Sequence, residues 1–115
     1  MRSQTEEHLD GRLSIEQTRY GDDVIVFSLA GELDLATTSD AWRLIEPALD
    51  EPQAMVVLDL TELEFISVKG VGLLYGFAAA RHDKETLRLL PSLHEGVNRV
   101  LEMTGIGSVI PVVSP

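Results

Sequence analysis

Ser67, the carboxylates of Glu32, Asp34 and Asp59, and three closely spaced glycines are the residues of this chain whose types and spacing would support chemistry. Ser67 ends the polar run Thr61-Glu-Leu-Glu-Phe-Ile and directly precedes a segment with helical spacing. Its hydroxyl is placed to accept a first-turn amide of that helix, which alone accounts for a serine here. A phosphate at the same place would meet the positive end of the helix and its free amides, with Lys69 adding a cation.

The three carboxylates offer hard oxygens of the kind magnesium takes, and Asp59, in Val-Val-Leu-Asp-Leu, stands where a phosphoacceptor aspartate would stand. That mechanism also wants a lysine after a later strand, and the chain has Pro91-Ser92 there. An aspartate accepting backbone hydrogen bonds at a strand end is the favoured reading. Gly70, Gly72 and Gly76 spell GxGxxxG at a helix start, the pattern that lets a backbone approach a pyrophosphate. The preceding strand ends near Leu60, too far for the tight turn a dinucleotide site needs, so close packing of helix on sheet is preferred. His8, His82 and His94 are scattered, and GxSxG, HExxH and GxxxxGK[ST] are absent. The sequence therefore assigns no catalytic residue, no metal ligands and no cofactor.

The elements that would position these residues follow from periodicity. Leu13-Ser-Ile-Glu-Gln-Thr alternates and Val24-Ile-Val-Phe-Ser-Leu-Ala is nearly continuous, with Tyr20-Gly21-Asp22-Asp23 as the hairpin turn between two strands. Leu35, Trp42, Ile45 and Leu49 recur at near-helical intervals after Thr37, Thr38 and Ser39, any of which suits an N-cap, and Pro47 should kink or end that helix early. Met55-Val-Val-Leu-Asp-Leu60 reads as a buried strand. A polar loop, a helix over residues 68–82 and a strand over 86–90 follow it. Ser92-Leu-His-Glu95 spells a capping box, Val97, Val100, Leu101 and Thr104 form one helical face, and Gly105 suits a left-handed helix end. Residues 109–113 read as a short edge strand around Pro111. The order β-β-α-β-α-β-α-β predicts an α/β fold with a mixed sheet flanked by helices. Residues 1–11 read as a flexible polar tail and 12–115 as a single domain.

With 44% apolar residues in 115, one core should stand without disulfides, and the absence of cysteine removes thiolate catalysis and cysteine-bound metal. The formal charge is −10 and the whole acidic excess lies before Phe65, which argues against direct binding of nucleic acid. The longest uncharged stretch, residues 70–80, is too short and too rich in Gly and Ala to span a bilayer. Residues 1–10 lack the charge pattern of a signal peptide, so the expectation is a cytoplasmic protein with no membrane insertion.

Four segments in order carry a family likeness: Gly31-Glu-Leu-Asp-Leu-Ala-Thr, Val57-Leu-Asp-Leu, Phe65-Ile followed by Gly70-Val-Gly-Leu-Leu, and Val100-Leu-Glu-Met-Thr-Gly-Ile-Gly. Together they resemble a STAS domain, specifically a stand-alone anti-sigma factor antagonist. The resemblance implies a non-enzymatic partner-switching module that binds an anti-sigma factor with a histidine-kinase-like ATPase domain and so frees a sigma factor. It implies a binding face made of Gly31, Glu32, Leu33, Asp34, Leu35 and Ala36 with Ser67, Val68, Lys69, Gly70 and Gly72. In the family that kinase phosphorylates a serine at the start of the second helix, within Asp-Ser-Ser-Gly; here the matching tetrapeptide is Ser67-Val-Lys-Gly70, and the resemblance puts the acceptor position at Val68. The expectation is an unphosphorylated binder, with acceptance one residue early on Ser67, or an exchange of partner, as the other outcomes. A STAS subunit of a membrane transporter assembly is the alternative. A small-ligand or nucleotide-binding domain using Glu32, Asp34 and Asp59 is a further one. The oligomeric state is left open between monomer and weak dimer.

Overall fold

The computed structural model describes residues 2–9, 11–81 and 83–113, with residue 84 described for its backbone only. In chain order the elements are β1 (Arg2–Leu9), β2 (Leu13–Tyr20), β3 (Val24–Leu33), α1 (Thr38–Ile45), β4 (Met55–Asp59), β5 (Leu63–Ile66), α2 (Val68–Ala80), β6 (Leu87–Leu90) and α3 (Glu95–Thr104). They form one mixed sheet in the order β1-β2-β3-β4-β6, with β5 added alongside the end of β3. The β1/β2 and β2/β3 pairs are antiparallel, whereas β3/β4, β4/β6 and β3/β5 are parallel.

Register decides which side chains enter the core, because a strand turns successive residues to opposite faces. Ile25 lies beside Val56 and Phe27 beside Leu58, and these in turn lie beside Leu87 and Leu89. Together with Leu13, Ile15 and Leu29 they make one buried face, over which α1 sets Ala41 and Ile45 and α2 sets Leu74 and Phe77. Trp42 of α1 stacks on Phe77 of α2 at 5.3 Å between ring centroids, so the two helices meet through an aromatic pair. Tyr75 donates its hydroxyl to the Thr104 carbonyl at 2.5 Å and ties α2 to the end of α3. The buried Arg81 guanidinium donates to the carbonyls of Leu49, Glu51 and Ala54 and to Thr86 Oγ1, fastening the α1–β4 connection beneath the end of α2.

The α/β class and the mixed sheet flanked by helices agree with the sequence reading, but four elements differ. The segment read as a flexible tail holds the eight-residue strand β1, which pairs with β2 through its backbone while its side chains stay almost wholly exposed. The polar run after Leu60 holds β5, whose Leu63 and Ile66 are buried while Glu64 and Phe65 face outward. The expected last strand is a single parallel bridge between Leu89 and Val112, because Pro111 has no amide to extend the ladder. The capping box does not form: Ser92 Oγ donates to the Leu63 carbonyl at 2.6 Å and accepts from His94 N at 2.8 Å, and α3 starts after His94.

Other local expectations hold. The first helix stops at Ile45 and tightens into a 3-10 turn over Glu46–Asp50 that carries Pro47 at its start. Gly105 closes α3 at φ 73. His82, expected near a helix end, lies outside the described residues.

Candidate functional site

Two segments far apart in sequence meet where β3 and β5 end. At Gly31, still opposite Leu13 of β2, β3 begins to pair with β5 on the edge where it paired with β4 up to Ser28, and the β3/β5 register shifts between Gly31 and Glu32. Gly31 has φ 105, and a Cβ there would lie 2.1 Å from the Arg12 carbonyl oxygen, so only glycine fits. The neighbouring Glu32 amide donates to that same carbonyl at 2.9 Å. Beyond Leu33 the chain makes a tight loop centred on Asp34. Asp34 Oδ1 accepts from Ala36 N at 3.0 Å, the Asp34 carbonyl accepts from the amides of Thr37 and Thr38 at 3.1 Å, and Asp34 N donates to Thr37 Oγ1 at 3.0 Å. Arg12 reaches Asp34 Oδ2 at 2.7 Å and neutralises its charge on the open side. Thr37 is wholly buried, and its hydroxyl serves this loop instead of capping α1.

The second segment is the start of α2. Ser67 Oγ accepts from Gly70 N at 3.2 Å and caps the helix as its position predicts. Ser67 N donates to the Leu33 carbonyl at 3.0 Å, tying the helix start to the end of β3. A Cβ on Gly70 would lie 2.6 Å from the Leu33 oxygen and 2.8 Å from Ile66 Cγ1, so this close approach requires glycine. The loop is held by Asp34 and the helix by Ser67 and Gly70, and both present their next residues outward. Leu35 is 71% exposed, Val68 81% and Phe65 48%.

The result is a shallow cleft lined by Arg12, Asp34, Leu35, Ala36, Phe65, Ser67, Val68 and Lys69. Six of these were read from the sequence: Asp34, Leu35, Ala36, Ser67, Val68 and Lys69. Leu33 and Gly70 are buried beneath the cleft and shape it through the backbone. Glu32 is exposed but does not line it, Gly31 is the bulge behind it, and Gly72 sits on the open side of α2, where an added Cβ would meet no atom within 4 Å. Arg12 and Phe65 escaped the sequence reading. Arg12 arrives through the β1–β2 hairpin, which side-chain pattern does not announce, while Phe65 is an exposed aromatic in a short strand.

Two of the three carboxylates considered for a metal or nucleotide are engaged separately. Asp34 is held as described, and Asp59 accepts from Thr61 N at 3.0 Å, Thr61 Oγ1 at 2.7 Å and Ser28 Oγ at 3.3 Å. Among the described residues, no group of three His, Asp or Glu is set to hold a metal ion. Gly70 and Gly76 act as packing glycines, the latter against Trp42, where a Cβ would stand 3.2 Å from the ring. No helix among the described residues is long and apolar enough to cross a membrane.

This is the architecture of a small STAS-type α/β domain: a mixed sheet with helices on its core face and a loop and helix start converging at its end. A family described as "Mlab, STAS domain" matches residues 16–113, and the chain belongs to the STAS domain family. The anti-sigma-B factor antagonist of Listeria monocytogenes is 25% identical over 100 residues, covering 87% of this chain and 88% of that protein. An anti-sigma factor antagonist from Mycobacterium paratuberculosis superposes with a TM-score of 0.69 at 22% identity, over 97% of this chain and 85% of that one. The anti-sigma factor antagonist SpoIIAA in its unphosphorylated form gives 0.70 at 21% identity, over 88% and 87%. At such identities the structural likeness is one of fold.

Proposed function

We propose that this protein is a non-enzymatic anti-sigma factor antagonist acting in the cytoplasm. It binds an anti-sigma factor bearing a histidine-kinase-like ATPase domain through the cleft between the Asp34 loop and the start of α2. The observation that carries this reading is Val68. At 81% exposure it is the most exposed large apolar side chain among the described residues, and it stands beside Leu35 and Phe65 on one face. An apolar side chain in water at a helix start gains little from the fold; its desolvation by a partner is worth about 1.5 kcal/mol or more. Lys69 supplies the polar rim and favours an acidic group on the partner.

Regulation differs from a phosphoserine switch. The outward position carries no hydroxyl, while the one adjacent hydroxyl, on Ser67, is turned inward as the helix cap. The protein is therefore a binder whose availability is not set by phosphate on Val68. Paired capture from a lysate of the source organism tests the function, using the tagged wild type and Val68→Asp. Recovery by the wild type, and loss by the variant, of a protein with a kinase-like ATPase domain supports it. Recovery of permease or transport ATPase subunits moves the assignment to the transporter alternative.

A further inference from the structure

The two edges of the sheet are treated differently. At the β6 edge the strand is four residues long and is covered by the Leu89–Val112 bridge, with Pro111 beside it. At the other edge β1 runs for eight residues in unbroken register with β2, without proline or bulge. Among the described residues no strand pairs with its outer side. Natural sheets usually blunt such an edge, since its free amides and carbonyls are a template for another strand. β1 also gains almost nothing from burial on either face, because seven of its eight residues are exposed. Its sequence must therefore be read for what it would pair with.

Arg2, Gln4, Glu6 and His8 share one face of β1, and Ser3, Thr5, Glu7 and Leu9 share the other, as their partners on β2 show. We infer that β1 is a self-association edge, on which two copies of this chain join antiparallel about a two-fold axis at Gln4, with Arg2 of each opposite Glu6 of the other. The axis lies perpendicular to the sheet and keeps both helical layers on the same side, so opposed residues come from the same face. In this register Arg2 meets Glu6 twice, Gln4 meets Gln4, and Ser3 meets Thr5 on the reverse face. Every pair is complementary.

Sliding by one pleat to an axis at Thr5 puts Arg2 against His8 and Ser3 against Glu7, and loses both ion pairs. Sliding again sets Glu6 against Glu6. Like charges directly opposite one another disfavour a register, and opposite charges favour it, so the charges select the axis at Gln4. The backbone ladder supplies the attraction. Five paired residues make a small interface, which places the dimer in the weak class, with a dissociation constant between about 1 μM and 1 mM. The cleft at Val68 lies at the ends of β3 and β5 and stays available, so this contact and the partner site are independent.

Sedimentation equilibrium of the purified protein at 0.15 M salt, where the repulsion between two −10 chains is screened, tests the inference. The wild type is expected to show a concentration-dependent dimer. Arg2→Glu and Glu6→Arg each place like charges opposite one another twice and should weaken it about tenfold or more. The double variant Arg2→Glu/Glu6→Arg restores complementarity and should recover the wild-type constant within about twofold. Glu7→Arg, beyond the paired stretch, should leave it unchanged. Circular dichroism confirms that each variant is folded. A wild type that stays monomeric up to millimolar concentration overturns the inference, as does a double variant no better than the singles or a dimer abolished by Glu7→Arg.

Discussion

Gly70 and Gly72 lie two residues apart in the first turns of α2, and replacing each with alanine should move stability in opposite directions. A Cβ at position 70 would lie 2.6 Å from the Leu33 oxygen, where carbon-to-heavy-atom contacts normally begin near 3.5 Å. Relief requires the helix start to withdraw by about 1 Å. That movement stretches the 3.0 Å bond from Ser67 N to the same Leu33 oxygen past a useful length. Overpacking costs about 1–3 kcal/mol and the lost hydrogen bond about 1 kcal/mol, against about 1 kcal/mol gained from alanine's helix propensity. The net is a destabilisation of about 2 kcal/mol, or about 8 °C in Tm for a chain of this size. At position 72 the added methyl meets no atom within 4 Å, so only the propensity gain remains, about 0.5–1 kcal/mol of stabilisation. Urea unfolding and calorimetric melting of both variants read these values. A Gly70→Ala protein as stable as the wild type, or shifts of the same sign at both sites, would refute the close approach of α2 to the end of β3.

Lys69→Glu should weaken partner binding about fivefold or more while leaving Tm within a degree or two, since the side chain is exposed on the cleft rim; unchanged affinity in titration calorimetry removes Lys69 from the site. Glu51 is held below its ordinary value of 4.5, first by the paired hydrogen bonds from Arg19 and also by the charges of Arg19 and Arg81, with desolvation opposing them. A folded-state value below the unfolded one means that this pair stabilises the fold above about pH 4.5 and that the contribution disappears as pH falls through the lowered value. Glu51→Gln should therefore lower the melting temperature at pH 7 and converge with the wild type as pH falls below the lowered value; a gap between the two that does not shrink with falling pH would contradict the assignment. Intact-mass analysis of the native protein should find no phosphate. An 80-Da increment, on the order of one phosphoryl group, mapped to Ser67 would show that the capping hydroxyl is released and restore a shifted switch.

Side-chain pattern made some of this structure legible and left the rest hidden for definable reasons. Ser67 before an apolar helical segment, Gly105 after one, and the continuous runs of β3 and β4 all announce themselves, because each is decided by local energetics. β1 does not, since its pairing rests on backbone groups that every sequence possesses and its side chains stay in water. β5 is four residues long and buries only Leu63 and Ile66, too short a signal to separate from a polar loop. Ser92 and Glu95 satisfy the spacing of a capping box, yet the Leu63 carbonyl, distant in sequence, takes the serine hydroxyl. The cleft follows the same division. Asp34 and Val68 are visible in their motifs, whereas Arg12 enters by way of the hairpin and its ion pair with Asp34. Local rules find residues that cap and turn; they do not find residues delivered by strand pairing.

Val68 stands at the centre of the proposed partner-binding face. Titration calorimetry of the captured partner protein against the wild type and Val68→Asp tests that role most directly. Loss of a desolvated valine and burial of a charge in its place should weaken binding by at least tenfold, with the melting temperature unchanged because the side chain is 81% exposed in the free protein. Equal affinities for the two proteins would place the interface elsewhere on the domain and contradict the proposed role of the cleft.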